Sequence, residues 1–224
     1  LKYPFLAPDG GALYVVDRTT SQIARIDIAT NTVTATAPVG DGFLDGESDG
    51  SSIYITRSAT PSLLVLNGDT LAETSSSNVL DGMVGDMEMD SANGLLYILD
   101  IMGVGDDGTL SVYDTNSSSH TDTISFTMPG AGASMALRLD LDTVGQRFFI
   151  LGTNGLNSYP IDGATPPRAL VPRSEFELMN MRYLPGDTSA NDRILAVGLA
   201  KPPSGDVAPR GARLFAFNPN LGQI

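Results

Sequence analysis

Three stretches of the chain set carboxylates at alternate positions. They are Asp45, Glu47 and Asp49 in FLDGESDG, Asp86, Glu88 and Asp90 in GDMEMD, and Asp140 and Asp142 in LRLDLD. Alternate side chains of an extended strand share a face. The first stretch therefore sets its acids against Gly46 and Ser48, and the second against Met87 and Met89. The third sets Arg138, Asp140 and Asp142 against Leu137, Leu139 and Leu141. Carboxylates gathered in one place repel, and burying them unpaired is costly. Water, pairing with Arg138 or Arg182, or a bound cation would each relieve the repulsion. An all-oxygen set suits Ca²⁺ or Mg²⁺ rather than zinc or copper. The candidate metal ligands are Asp45, Glu47, Asp86, Glu88 and Asp140, with Asn180 of LMNMRYL. The competing reading is a solvated channel mouth in which the Asp residues serve turns.

Composition excludes much other chemistry. The chain has no Cys, so it has no disulfide, thiolate metal site, Cys nucleophile or covalent haem attachment. Its one histidine, His120, falls in NSSSHTDT on a predicted outer loop, which removes any multi-His site. No phosphate-cradling G-x-x-x-x-G-K-[ST] loop occurs, and no G-x-G-x-x-G leads from a strand into a helix. The 26 acidic residues outnumber 13 basic ones, for a net charge of −13. Such a surface repels nucleic-acid phosphates and anionic lipid. No apolar run approaches the roughly 18–20 residues that span a bilayer. Neither nucleic-acid binding nor membrane insertion is expected. The chain opens on Leu1 rather than Met, as a processed or excised piece would.

Smaller signals stand beside these. DGESDG (45–50) is like the opening of a D-x-D-x-D-G calcium loop. An EF-hand needs Glu at the twelfth place, where Thr56 stands, and the flanks read as strands, so only a non-helical calcium loop remains open. GDDG (105–108) reads as a plain turn. Asn116-Ser117-Ser118 fits the N-glycosylation sequon. KPPSGDVAPRGAR (201–213) reads as an exposed loop and a basic spot on an acidic protein, suited to an acidic partner.

The elements that must position these residues recur. ALYVVD (12–17), SIYITR (52–57), LLYILD (95–100), RFFILG (147–152) and RILAVG (193–198) superpose on Tyr14, Tyr54, Tyr97, Phe149 and Leu195. The spacings are 40, 43, 52 and 46 residues. A second strand follows each: QIARIDI, SLLVLNG, TLSVYDT, GLNSYPI and ARLFAFN. Polar turns then lead to weaker outer strands such as NTVTATAPV and HTDTISFTM. Short β-branched strands at regular spacing, with no sustained 3.6-residue period, predict an all-β chain. Units of about 40–50 residues with four antiparallel strands are the blades of a β-propeller. The expected blades are about 1–40, 41–80, 81–130, 131–174 and 175–224, the last lacking its outer strand. The acid-bearing stretches become the innermost strands. Either the ring has five blades with an imperfect seam, or it belongs to a larger or partner-completed ring.

The first unit, LAPDGGALYVVDRTTSQIARIDIATNTVTATAPVG, resembles the YVTN-type repeat. Its theme is a turn, a tyrosine-valine strand, an apolar strand ending in Asp, then T-N-T-V and a closing Val39-Gly40. Later units drift, with Phe149 and then Leu195 in the tyrosine place. The resemblance implies a propeller and no single activity, since the repeat occurs in lactonase-like enzymes, dehydrogenase subunits, surface proteins and scaffolds. Two function classes follow. One is a non-catalytic binding or scaffolding propeller, exported (extracellular or periplasmic) or at the cell surface, that meets a protein partner or its own copy through loops and blade faces. The other is a lactonase-like hydrolase dependent on a divalent cation, for which the resemblance would make Glu47, Glu88, Asp140 and Asn180 ligands. The first is preferred, because no general base stands out. No catalytic residue is assigned.

Overall fold

The computed structural model describes residues 2–59, 62–78, 83–101, 107–127, 136–152, 155–162, 167–172, 176–184, 192–200 and 212–220. Every regular element among them is a strand, and none is a helix able to cross a membrane. The first sheet runs in the order β1 (Lys2–Leu6), β2 (Ala12–Asp17), β3 (Gln22–Asp27), β4 (Thr32–Pro38). The second is β5 (Phe43–Ser48), β6 (Ser52–Arg57), β7 (Leu63–Asn67), β8 (Glu73–Ser77). The third is β9 (Met83–Asp90), β10 (Leu95–Ile101), β11 (Asp107–Asp114), β12 (Ser119–Thr127). The fourth is β13 (Ala136–Asp142), β14 (Arg147–Gly152), β15 (Gly155–Pro160), β16 (Arg168–Pro172). The fifth has three described strands, β17 (Phe176–Leu184), β18 (Arg193–Ala200) and β19 (Ala212–Phe217). The predicted succession of sheets is present, and each acid-bearing stretch begins its sheet.

One turn device recurs in six hairpins. An Asp or Asn ends a strand, and its side-chain oxygen accepts a backbone N–H two or three residues on. Asp17 takes Thr19 N at 2.9 Å, Asp27 takes Thr30 N at 2.7 Å, and Asn67 takes Thr70 N at 2.9 Å. Asp90 takes Asn93 N at 3.2 Å, Asp114 takes Asn116 N at 2.8 Å, and Asp142 takes Gly145 N at 2.7 Å. Four residues after each, the backbone turns left-handed, at Ser21, Asn31, Leu71, Gly94, Ser118 and Gln146. Only Gly94 is free of the Cβ clash there. Leu71 holds the position because its side chain, 1% exposed, completes the core beneath the turn. Ser118 is exposed and has no such compensation. Ser118→Gly is expected to raise stability by up to about 1 kcal/mol, read as a rise of a few degrees in melting temperature.

The turn carboxylates also set an acid limit. The backbone N–H of Thr30 holds Asp27 below its ordinary value, and that of Asn116 does the same for Asp114. A lowered carboxyl pKa contributes stability that is present above the unfolded value and lost as pH falls through the folded one. Melting temperature should therefore decline below about pH 4, less steeply in an Asp27→Asn/Asp114→Asn double variant.

Two compact units divide the chain. The first comprises Leu1–Asp100 and Ser111–Asp122, the second Ile101–Leu110 and Thr123–Ile224. In the first, Tyr14, Val16 and Ile23 of the first sheet pack on Ile53, Ile55 and Leu64 of the second. The other face of the second sheet, with Tyr54, Leu63 and Val65, packs on Met87, Leu96 and Ile98 of the third. In the second unit, Phe149, Leu151 and Leu156 of the fourth sheet pack on Tyr183, Ile194 and Ala196 of the fifth. Phe126 of β12 stands 5.6 Å from Phe148 and 5.0 Å from Tyr159, ring centre to ring centre. Each fully buried side chain of this kind contributes about 1.5–3 kcal/mol. Every such contact uses one side of a strand's alternation, so a sheet has a front face toward the next sheet and a back face toward the last.

Candidate functional site

The candidate residues stand on the strands that begin sheets. β5, β9, β13 and β17 each end their sheet, so one edge of each has no neighbouring strand in it. Backbone N–H groups on such an edge need another acceptor. The carboxylates supply it. Asp45 Oδ1 accepts Gly46 N at 2.9 Å, and its Oδ2 accepts Met87 N of β9 at 2.9 Å. Asp140 Oδ1 accepts Leu141 N at 2.9 Å, and its Oδ2 accepts Tyr183 N of β17 at 2.5 Å. Each carboxylate thus ties its own backbone to the first strand of the following sheet. Asn180 Oδ1 repeats the local half of the motif on Met181 N at 2.9 Å. Hydrogen bonds with an ionised acceptor are about twice as strong as neutral ones.

Register sorts four of the six candidates. Glu47 pairs with Tyr54, Asp140 with Phe149 and Arg182 with Leu195, so each holds the same register place within its own sheet. Asp45 pairs with Thr56, Asn180 with Val197 and Arg138 with Leu151, the next register place along each sheet. Asn180 is therefore the counterpart of Asp45, not of Glu47. Asp45, Glu47, Asp86 and Glu88 belong to the first compact unit and are half-buried. Asp140, buried, and Asn180, exposed, belong to the second. Within either unit, among the described residues, no three His, Asp or Glu side chains form a group able to hold a metal ion.

Burial pushes the Asp140 carboxyl up from its usual range, against the Arg182 guanidinium and the N–H groups of Tyr183 and Leu141. The Arg182 contact is long, 3.9 Å from Nε to Oδ2, and Arg182 is 62% exposed. The two N–H bonds are the firmer partners.

The third acid of two stretches has a separate task. Asp49 Oδ1 accepts Ser51 N at 2.8 Å and Ser52 N at 2.7 Å, and its Oδ2 accepts the Tyr54 hydroxyl at 2.8 Å. Burial first, and then that carboxylate, raise the Tyr54 pKa, so the hydroxyl stays a donor. In DGESDG, Asp49 is thus a turn cap. Gly46 is set by contact: a Cβ there would lie 2.5 Å from Cε1 of Phe5, whose ring stacks on Tyr14 at 5.3 Å. Gly46→Ala is expected to cost about 1–3 kcal/mol by overpacking, measured by urea unfolding.

Sequence reasoning missed one network. Arg147 Nε lies 2.7 Å from Asp142 Oδ2, and its Nη2 lies 3.6 Å from Asp192 Oδ2. Asn220 Nδ2 donates to Asp192 Oδ2 at 2.9 Å. The Arg five residues after a turn Asp was the one available signal, because Asp192 and Asn220 lie in irregular segments. His120 is the exposed second residue of β12, not a loop residue, and Asn116 is exposed in the β11–β12 turn. Residues 105–106 and 201–211 lie outside the described residues, and with them half of GDDG and most of the 201–213 loop; Asp107 and Gly108 begin β11 rather than forming a plain turn.

No family model matches the chain, and no curated protein matches it in sequence. Solved structures do match. Hydrazine synthase of Kuenenia stuttgartiensis aligns with a TM-score of 0.70 and 14% identity, over 94% of this chain and 61% of that one. The dihydro-heme d1 dehydrogenase NirN, solved in complex with DHE, aligns at 0.62 and 14%, over 88% and 41%. The chain is a β-propeller. Sqt1 of Saccharomyces cerevisiae aligns at 0.59 and 12%, over 89% of this propeller and 56% of that chain. The propeller thus spans from about two-fifths to three-fifths of the chains it resembles. At such identities the likeness concerns the fold, and the five sheets are its blades.

Proposed function

We propose that the propeller is a non-catalytic binding or scaffolding module, exported or held at the cell surface, that engages a protein through its loops and blade faces. The use made of Asp45 and Asp140 carries this reading. Each gives both oxygens to backbone N–H groups and ties successive blades together. Side chains spent in this way serve architecture before chemistry. A net charge of −13 turns the surface away from nucleic acid and anionic lipid, and a Cys-free chain is compatible with export. The YVTN-like theme of the first blade fits a repeat that serves many roles. The similar structures include a synthase and a dehydrogenase, so the shared fold selects no activity.

Calorimetric titration with CaCl₂ and MgCl₂, run beside a lactone-hydrolysis assay containing the same ions, tests the proposal. Neither saturable heat nor turnover is expected. Cation binding with hydrolysis that Glu88→Gln abolishes would replace it with a divalent-cation-dependent, lactonase-like hydrolase.

A further inference from the structure

The chain holds three Asn-Gly bonds, at residues 67–68, 93–94 and 154–155. Residue 154 lies outside the described residues. Asparagine is chemically labile, most of all before glycine, where no side chain shields the following backbone nitrogen from attacking the amide. In a folded chain the outcome depends on how firmly both groups are held. The other two bonds lie in the first compact unit and take different places in the same turn device.

Asn67 is the capping residue of its turn. Its Oδ1 accepts Asp69 N at 3.1 Å, Thr70 N at 2.9 Å and the Thr70 hydroxyl at 2.9 Å. Gly68 is buried, and its N–H donates to Ser51 O at 2.8 Å. Both reacting groups are thus fixed. Asn93 instead stands three residues after the capping Asp90, the place that Thr30 and Thr70 take in their turns. It is exposed, and its side chain is held through Nδ2, which donates to Asp90 Oδ2 at 2.8 Å. Gly94 follows at the left-handed place, with φ at 66°. Of the six turns, this one alone sets Asn before Gly at that place.

We propose that Asn93 is a site of spontaneous deamidation in the folded chain, and that Asn67 is shielded from the same reaction. The Gly94 nitrogen bonds to Cγ of Asn93, its proton departs with the side-chain nitrogen as ammonia, and a cyclic imide forms. Water then opens the ring at either carbonyl, giving aspartate or isoaspartate, with nothing oxidised or reduced. The aspartate product replaces the donor to Asp90 with a second carboxylate oxygen. Asp90 is 3% exposed, so the like charges meet where water screens them poorly. The isoaspartate product lengthens the backbone just ahead of Gly94. The Gly94 carbonyl accepts Thr115 N at 2.9 Å and the Thr115 hydroxyl at 3.0 Å, so the change loosens the join between the β9–β10 and β11–β12 turns.

Ageing the full chain in warm, mildly alkaline buffer tests this, with peptide mass spectrometry to locate the change and enzymatic methylation to count isoaspartate. Expected is a gain of about 1 Da at Asn93. It should appear about tenfold faster or more than at Asn67, which must first break several hydrogen bonds. In urea, where neither turn exists, the two sites should react at similar rates. Asn93→Asp, which brings the charge alone, should melt a few degrees below the wild type. Asn93→Thr copies two sister turns and should remove most of the isoaspartate formed by the folded chain. An Asn93 that stays intact in the folded chain while the urea-treated chain reacts would overturn the inference. So would equal folded-state rates at Asn67 and Asn93, which would mean that the turns protect neither.

Discussion

Arg147→Met is expected to destabilise the second compact unit by about 3–5 kcal/mol, the range for removing one partner from a buried ion pair. Asp142 and Asp192 are 3 and 6% exposed, and Arg147 faces both. Methionine keeps much of the volume but takes the Arg147 guanidinium away from two buried carboxylates. Arg147 also lies over the Phe149 ring, 5.2 Å from its centre, so part of its worth is packing. Burial first, and then Asp142 and Asp192, raise the pKa of Tyr183, which keeps that hydroxyl neutral beside them. Arg147→Lys keeps the charge without the planar fork and should fall between the two. Urea unfolding at neutral pH measures all three proteins. A variant as stable as the wild type would show that the ion pairs contribute nothing.

Asp140→Ala is the second large effect, at about 2–4 kcal/mol. It strands the N–H groups of Leu141 and Tyr183, and an orphaned buried donor costs about 1–3 kcal/mol. Asp140→Asn keeps one acceptor oxygen and turns an NH₂ toward the other donor, so it should recover only part of the loss. The pH dependence has a definite sign. Burial raises the folded pKa of Asp140 above its unfolded value. Between those two values the folded chain keeps a proton that the unfolded chain has released. Stability therefore falls as pH rises through that window and is level above it. Asp140→Ala should remove this contribution.

The sequence showed the elements better than their contacts. Tyr14, Tyr54, Tyr97 and Phe149 mark the second strand of the first four blades because burial there demands a large, mostly apolar side chain. Turn carboxylates such as Asp27 and Asp114 were legible because their acceptors serve N–H groups only two or three residues away. The staples were not. Asp45 binds the backbone of a residue 42 positions later, and a backbone N–H leaves no mark in residue type. The alternation of acids therefore read as a ligand set, while the fold uses two of those acids to satisfy strand edges. Leu71 was hidden for the opposite reason: its residue type argues against a left-handed backbone, and only core burial explains it.

Amide hydrogen exchange at Met87 and Tyr183, followed by NMR, tests the central claim most directly. The account predicts slow exchange at both in the wild type, with Met87 released in Asp45→Ala and Tyr183 in Asp140→Ala, while mid-strand amides such as Ile55 and Ile150 stay protected. Fast exchange at both positions in the wild type, or protection that survives loss of the carboxylates, would contradict it.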